Sequence, residues 1–264
     1  MNRLDQLEAQ SIFVLREAFA RIENLAMLWS IGKDSNTIIW LARKAFYGHI
    51  PFPLVHLDTG LEFDETYAFR DHYAQEWKIK LIADPCPPIE LTDPTLPPGS
   101  RLAARKTLGV SQAIERYQFG GLILGIRRDE QAIRAKERVF SPRAKEGGWD
   151  MRDQPAEFWD QFNTQAPPGG HVRVHPLLQW TEIDIWRYSE RENIPLVPLY
   201  FAKDGMRYRS LGEKGITKPI PSQATTVREI IAELEATNTE ERAGRTFDHE
   251  AEDAFERLRA QGYM

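Results

Sequence analysis

The sequence predicts an α/β fold: a parallel β-sheet with helices on both faces, followed by a mostly helical C-terminal extension. Three observations predict it. Short apolar runs alternate with longer segments of helical periodicity, the pattern of strand–helix–strand crossovers. Polar clusters containing Gly, Lys, Asp or Arg follow the first, second and fourth of those runs, and parallel sheets carry their sites at the carboxyl ends of strands. From about Lys203 the alternation gives way to a basic, glycine-containing stretch and then to helical patterns.

Taken in order, Leu4, Leu7, Ile12, Leu15 and Phe19 recur at near-helical spacing, so Leu4 to Ile22 reads as an amphipathic helix. LAMLWS, Leu25 to Ser30, is a short apolar run ending in a glycine-containing turn and reads as a buried strand. A helix over Asn36 to Tyr47 would bury Ile38, Ile39, Leu41 and Phe46. Pro53 to Asp58 is the second strand, Glu62 to Trp77 the next helix, and Ile79 to Asp84 the third strand. Pro85 to Ser100 is rich in proline and reads as a loop. A helix near Leu108 to Tyr117 leads into the fourth strand, Gly121 to Ile126. Glu146 to Gly170, polar with aromatics and a Pro-Pro-Gly-Gly run, reads as a long connection to a fifth strand at His171 to Leu177 and a helix at Glu182 to Glu192. The extension holds a basic, glycine-containing stretch and helices at Val227 to Ala236 and Glu250 to Gln261.

Composition removes whole classes of function. The 264 residues are 42% hydrophobic and 28% charged, ordinary for a globular protein. No run approaches the ~20 apolar residues of a membrane helix. The first residues mix acids into their apolar positions, unlike a secretory signal, so the chain is expected in the cytoplasm with no membrane partner. A net charge of −5 argues against a nucleic-acid partner. The single cysteine, Cys86, cannot form an internal disulfide or supply a structural zinc site alone.

The sharpest chemical signal is SIGKDS, Ser30 to Ser35, between the first strand and its helix. A turn feeding a helix N-terminus presents backbone N–H groups and the positive end of the helix dipole, which suits an anion. Gly32 would let the backbone approach a phosphate, Lys33 supplies a positive charge, Ser30 and Ser35 offer hydroxyls, and Asp34 can cap the helix. It is not a Walker A loop, because Met27 stands where that motif needs Gly and Asp34 where it needs Ser or Thr. The alternative is a capped turn that binds nothing. HLDTG places Asp58 at the end of the second strand, either for ribose hydroxyls or a Mg²⁺ shell, or as a helix cap. GIRRDE, Gly125 to Glu130, follows the fourth strand. Either Arg127 or Arg128 would bind an anion in two-pronged fashion, with Asp129 and Glu130 orienting arginines or a metal shell. RYRSLG carries Arg207 and Arg209 on one side of an extended segment, as a second basic cluster or as an ordinary surface loop.

SIGKDS resembles the pyrophosphate loop of the ATP pyrophosphatase (PP-loop) families, which cleave ATP between its α and β phosphates. Together with LARKAFYG, PFPLVHLDTG, GIRRDEQAIRAKER, HPLLQWTEIDIW, ENIPLVPLY and RYRSLG, it makes the chain similar to the small-subunit family of bacterial sulfate adenylyltransferases, with part shared by phosphoadenylylsulfate reductases. The resemblance runs from about Leu4 to the terminal QGYM. It implies a Rossmann-like, adenine nucleotide alpha hydrolase-like fold, with an adenylyltransferase domain over 1–202 and an extension over 203–264. It implies transfer of AMP from ATP, accompanied by Mg²⁺, to sulfate or another small oxyanion. Ser30, Gly32, Lys33, Asp34, Ser35, Asp58 and Gly125 would bind ATP. Lys33, Arg127 and Arg128 would be catalytic, Arg127, Arg128, Arg207 and Arg209 would hold the substrate anion, and no protein-bound metal is implied. A GTPase large subunit is the implied partner, and a homo-oligomer is also carried as an expectation. A related enzyme that adenylates a small molecule for sulfur insertion, and a non-catalytic nucleotide-binding regulator, are the alternatives.

Other chemistries lack support in the residues. Asp-Thr-Gly occurs once, whereas an aspartic protease needs two such carboxylates. His171 and His175 have no evident third zinc ligand, and no Gly-x-Ser-x-Gly elbow occurs. Trp149, Trp159, Trp180 and Trp186 read as core or interface anchors. The family's reductases use a C-terminal cysteine, and none follows Cys86, which favours adenylation over reduction. Only Cys86 could carry sulfur, and it reads more simply as a packed loop residue. Two segments depart from the sulfate-activating pattern: FAKDGM replaces a longer insert before Arg207, and EKGITKPIPS replaces a cysteine-containing stretch after RSLG.

Overall fold

The chain is described here from a computed structural model covering residues 2–130, 132–145, 154, 156–237 and 241. The strands Leu25–Leu28 (β1), Leu54–Asp58 (β2), Leu81–Pro85 (β3), Gly121–Ile123 (β4) and His171–Val174 (β6) pair in parallel. Phe140–Arg143 (β5) completes a six-stranded sheet of order β3-β2-β1-β4-β6-β5. β1, β4 and β6 are buried along their whole length: LAML and GLI read as continuous apolar runs, whereas β6 alternates the buried His171 and Arg173 with two valines. β3, at one edge, is only partly covered.

The sheet is mostly parallel, and the exception is β5, which runs antiparallel to β6 with Phe140 opposite Val174 and Arg143 opposite His171. No strand is expected there from sequence. Its four residues include Ser141 and Pro142, and proline is tolerated on an edge strand, where its missing N–H faces no partner.

Helices Arg3–Arg21 (α1), Lys33–Ala45 (α2) and Glu182–Glu192 (α5) pack together through α2, while Pro98–Tyr117 (α4) lies on β2 and β3. Asp64–Glu76 (α3) joins β2 to β3. α1 and α5 open with reciprocal capping boxes, Asn2 with Asp5 and Thr181 with Asp184, which fix where each begins. α4 starts well before Leu108, inside the predicted loop, because Pro98 suits a first helical turn. The strands at the fourth and fifth positions are shorter than predicted, ending at Ile123 and Val174.

Trp29, Trp180, Trp186, Tyr188 and Tyr200 are among the largest fully buried side chains. Trp159, expected as an anchor, is 89% exposed on a polar connection, and Trp149 lies outside the described residues. Beyond Lys203 the chain forms a small antiparallel ribbon, Met206–Arg207 (β7) with Ile220–Pro221 (β8), then the expected helix Val227–Ala236 (α6). Ile230 and Ile231 of α6 enter the same core as the sheet and its helices. The helix predicted at Glu250 to Gln261 falls outside the described residues. Among the described residues, no helix is long and apolar enough to cross a membrane.

Candidate active site

The strand order has one reversal. β1, β2 and β3 step outward to one side, and β4 returns to the other flank of β1. Loops leaving β1 and β4 therefore diverge at their carboxyl ends and leave a crevice between them, the usual ligand position in such sheets. SIGKDS leaves β1 and GIRRDE leaves β4, so topology alone brings these two segments together.

Gly32 is the N-cap of α2 and offers no capping side chain, so the helix opens with its dipole uncovered by that residue. Ser35 Oγ donates to the Gly32 carbonyl at 2.9 Å, and Ser30 Oγ donates to Ser35 Oγ at 3.2 Å, fixing the loop against itself. The residue in the left-handed region is Ile31, at φ 63°, and not Gly32. A buried β-branched residue there is strained by about 1–2 kcal/mol, held by its surroundings. Glycine matters instead at Gly125, where a Cβ would stand 3.2 Å from the Ser35 amide nitrogen. The absence of a side chain lets the β4 segment press against the start of α2.

Lys33 and Arg127 are both buried, at 1% and 0% exposure. Asp34 joins them: its Oδ2 lies 3.3 Å from Lys33 Nζ, and its Oδ1 accepts from Arg127 Nη1. Glu241 bridges the same pair, Oε1 on Lys33 and Oε2 on Arg127. Asp129 Oδ1 accepts from Arg127 Nε at 2.9 Å, while its Oδ2 accepts from the Glu182 backbone N–H at 2.6 Å. Arg209 pairs with Glu182 at 2.8 Å. Burial acts to discharge Lys33 and Arg127, yet Asp34 and Glu241 outweigh it and hold both above their ordinary range. The result is two permanently charged cations fixed on either side of the crevice.

Tyr200 completes the loop. Its hydroxyl accepts the Lys33 backbone N–H at 2.9 Å, and Lys33 Nζ lies 6.0 Å from its ring centre. Burial pushes that hydroxyl up to about 12 against the pull of Lys33, so it stays protonated. Sequence reasoning missed Tyr200, Glu241 and Ile31. Within PLY and TEER nothing marks the first two, whose contacts to Lys33 span 167 and 208 residues.

Not every expected residue joins the Lys33–Arg127 bridge. Arg128 turns away: its Nη2 donates to the Glu137 carbonyl at 3.0 Å, and its charged neighbours are Glu157, Arg138 and Glu137. Arg207 and Arg209 do not act together. Arg207 is buried against Glu233 of α6 at 2.5 Å and against Ser222, because the β7–β8 ribbon turns it inward, and only Arg209 reaches Glu182. Asp58 caps its own turn through Gly60 N–H and accepts from the Tyr67 hydroxyl, both at 2.8 Å. Cys86 is buried, and burial pushes its thiol up to about 11 despite Lys106 and Arg105 nearby, the wrong direction for a thiolate nucleophile. Among the described residues, His171 and His175 included, there is no group of three or more His, Cys, Asp or Glu that could hold a metal ion.

Residues 24–219 match the family model of the phosphoadenosine phosphosulfate reductase domain. The chain is similar to the protein named sulfate adenylyltransferase subunit 2 from Pseudoalteromonas translucida (strain TAC 125), with 39% identity over 297 aligned residues, covering 100% of this chain and 99% of that one. The protein of the same name from Rhizobium johnstonii is 42% identical, covering 99% of this chain and 93% of its own length. Among solved structures, Candida glabrata FMN adenylyltransferase in complex with ATP superposes with a TM-score of 0.57 at 16% identity, over 82% of this chain and 63% of that one. The phosphoadenylyl-sulfate reductase of Candida auris, solved as a phosphate complex, gives 0.51 at 14% identity, over 81% and 96%. At these identities the structural likenesses establish the fold.

Proposed function

Because the chain belongs to the sulfate adenylyltransferase subunit 2 family, within the wider phosphoadenosine phosphosulfate reductase domain family, we propose that it transfers the adenylyl group of ATP to sulfate, releasing pyrophosphate. The observation that carries this reading is Lys33 and Arg127 facing one another across the strand reversal, one from each loop. The helix N-terminus and the serines of Ser30 to Ser35 hold the β and γ phosphates. Lys33 and Arg127 offset the charge that builds around the α phosphorus. A sulfate oxygen attacks that phosphorus in line, the bond from the α phosphorus to the bridging oxygen breaks, and pyrophosphate departs with the electron pair. The protein supplies position and charge, and no covalent enzyme intermediate forms.

Mg²⁺ enters as part of the ATP complex, which suits a metal that keeps its waters and binds chiefly through phosphate oxygens. Asp34 and Asp129 orient the two cations. Of the arginine pair, Arg127 is assigned the catalytic role. Asp58 and Gly125 are assigned to the nucleotide-binding wall, and Arg209 to the rim of the acceptor site, with Arg128 and Arg207 bracing the loops behind. The domain over 1–202 carries the chemistry and the segment over 203–264 contributes from the side. Forming adenylylsulfate is strongly uphill, so a GTPase large subunit is the proposed partner, and the subunit number in the relatives' name supports one. The proposed compartment is the cytoplasm. A sulfur-inserting alternative would need a reactive thiolate, and Cys86 is buried the other way.

Exchange of labelled pyrophosphate into ATP tests the reading. Sulfate-dependent exchange, in the presence of the candidate GTPase subunit, is the expected result. Exchange that requires a different acceptor would reassign the substrate, and none with any acceptor would leave a nucleotide-binding regulator.

A further inference from the structure

The crevice between the β1 and β4 loops already holds an anion, and the chain itself supplies it. The Glu241 carboxylate places one oxygen on Lys33 and the other on Arg127, with its side chain 7% exposed. Two oxygens of one anion, each on a different cation, reproduce the charge and the reach of two non-bridging oxygens of a phosphate group. The two cations it engages are those that the β1 and β4 loops bring together, and Glu241 comes from far along the chain to meet them.

Charge balance bears on what can enter. Lys33, Arg127 and Arg209 face Asp34, Asp129, Glu182 and Glu241. With Glu241 seated, the cations do not exceed the carboxylates, and a polyanion gains no net attraction. Burial, joined by Glu241, holds the neighbouring Glu182 carboxyl above its usual range, so the crowding of negative charge is already felt there. A triphosphate and the Glu241 carboxylate therefore cannot share the Lys33–Arg127 bridge.

We propose that Glu241 is an intramolecular competitor for the phosphate site: it occupies the bridge in the ligand-free protein, and a phosphate-bearing ligand binds by displacing it. The inference rests on the loop being a phosphate site, and not on sulfate being the acceptor. Its consequence is a reduced apparent affinity, because only the fraction of molecules with Glu241 released can bind. Nucleotide occupancy and the position of residue 241 then become two readouts of one equilibrium.

Calorimetric titration of inorganic pyrophosphate into the full chain and into Glu241→Gln is the test. The amide keeps the shape and removes the charge, and pyrophosphate is expected to bind on the order of ten-fold more tightly. A second arm uses the unaltered chain: amide hydrogen exchange around residue 241 is expected to speed up when pyrophosphate is added. Equal or weaker binding by the variant overturns the displacement, as does slower exchange around residue 241. Should the variant fail to fold, the exchange arm decides alone. Failure of both proteins to bind pyrophosphate contradicts the phosphate site itself and the displacement with it, whereas equal binding contradicts only the displacement.

Discussion

Two of the places where the molecule buries charge behave oppositely. At the centre of the sheet, Lys33 and Arg127 are driven above their ordinary range by the carboxylates around them. At the β5–β6 edge, Arg143 and Arg173 are both driven down by burial, and repulsion from Arg143 adds to the fall of Arg173 to about 9, with Glu137 the acid beside them. The edge also holds His171 and His175, pushed down to about 3 and about 4 by burial, with the two arginines contributing. Burial of charge is thus not what marks a site. The difference is place: the central pair stands where two loops diverge at the carboxyl ends of β1 and β4, whereas Arg143 is registered against His171 at the amino end of β6.

Substitutions that separate the two clusters should show this contrast most strongly at the centre. Arg127→Ala leaves Asp34 and Asp129 without their shared partner, and adenylyl transfer should fall on the order of 10²–10³-fold, measured by initial rates. Arg128→Ala, one residue along, should change the rate by only a few-fold, and equal losses for both would erase the assignment of Arg127. At the edge, Arg143→Ala should lower stability by roughly 3–5 kcal/mol in denaturant titration, because Glu137 is left buried without it. ATP affinity of the folded fraction should stay within about two-fold of the unaltered chain. A comparable loss of ATP affinity would mean that the edge belongs to the site.

The edge histidines give a smaller, pH-dependent effect. Both are neutral in the folded protein, with pKa values depressed from 6.5. Above pH 6.5 neither state binds the proton, so nothing is lost. As pH falls below 6.5 the unfolded chain takes up protons that the folded chain refuses until about 4 for His175 and about 3 for His171. Stability should therefore drop by about 1.4 kcal/mol per pH unit for each histidine in that window. Replacing both with glutamine should flatten the slope between pH 6 and 4, and an unchanged slope would count against their burial as neutral groups. Smallest is Tyr200→Phe, which removes the acceptor of one backbone N–H at the start of α2. A loss of about 1 kcal/mol in ATP binding is expected, seen as a several-fold rise in KM.

Much of the centre was legible in the sequence, and the reason is local. Ser30 to Ser35 is contiguous, so its turn, lysine and helix start can be recognised together. The pair Arg127–Arg128 was visible as a pair, but which guanidinium faces the crevice depends on the strand twist and on Glu137, and only the fold decides it. Gly32 was expected to let the backbone approach a phosphate, and nothing in the sequence marked its neighbour Ile31 as the residue in the left-handed region. Tyr200 and Glu241 were invisible because an isolated Tyr or Glu in a polar stretch carries no signal until topology brings it to Lys33. The edge was the less legible region throughout: β5 is short, contains proline and runs against the parallel pattern that identified its neighbours.

The central claim is that the bend from Ser30 to Ser35 holds the phosphates of ATP through Lys33. Equilibrium binding of labelled ATP to the unaltered chain and to Lys33→Ala, with pyrophosphate exchange followed in the same samples, tests it most directly. The account expects binding to weaken by at least about ten-fold and exchange to fall on the order of 10²–10³-fold. ATP affinity and exchange rate both unchanged in Lys33→Ala would contradict it.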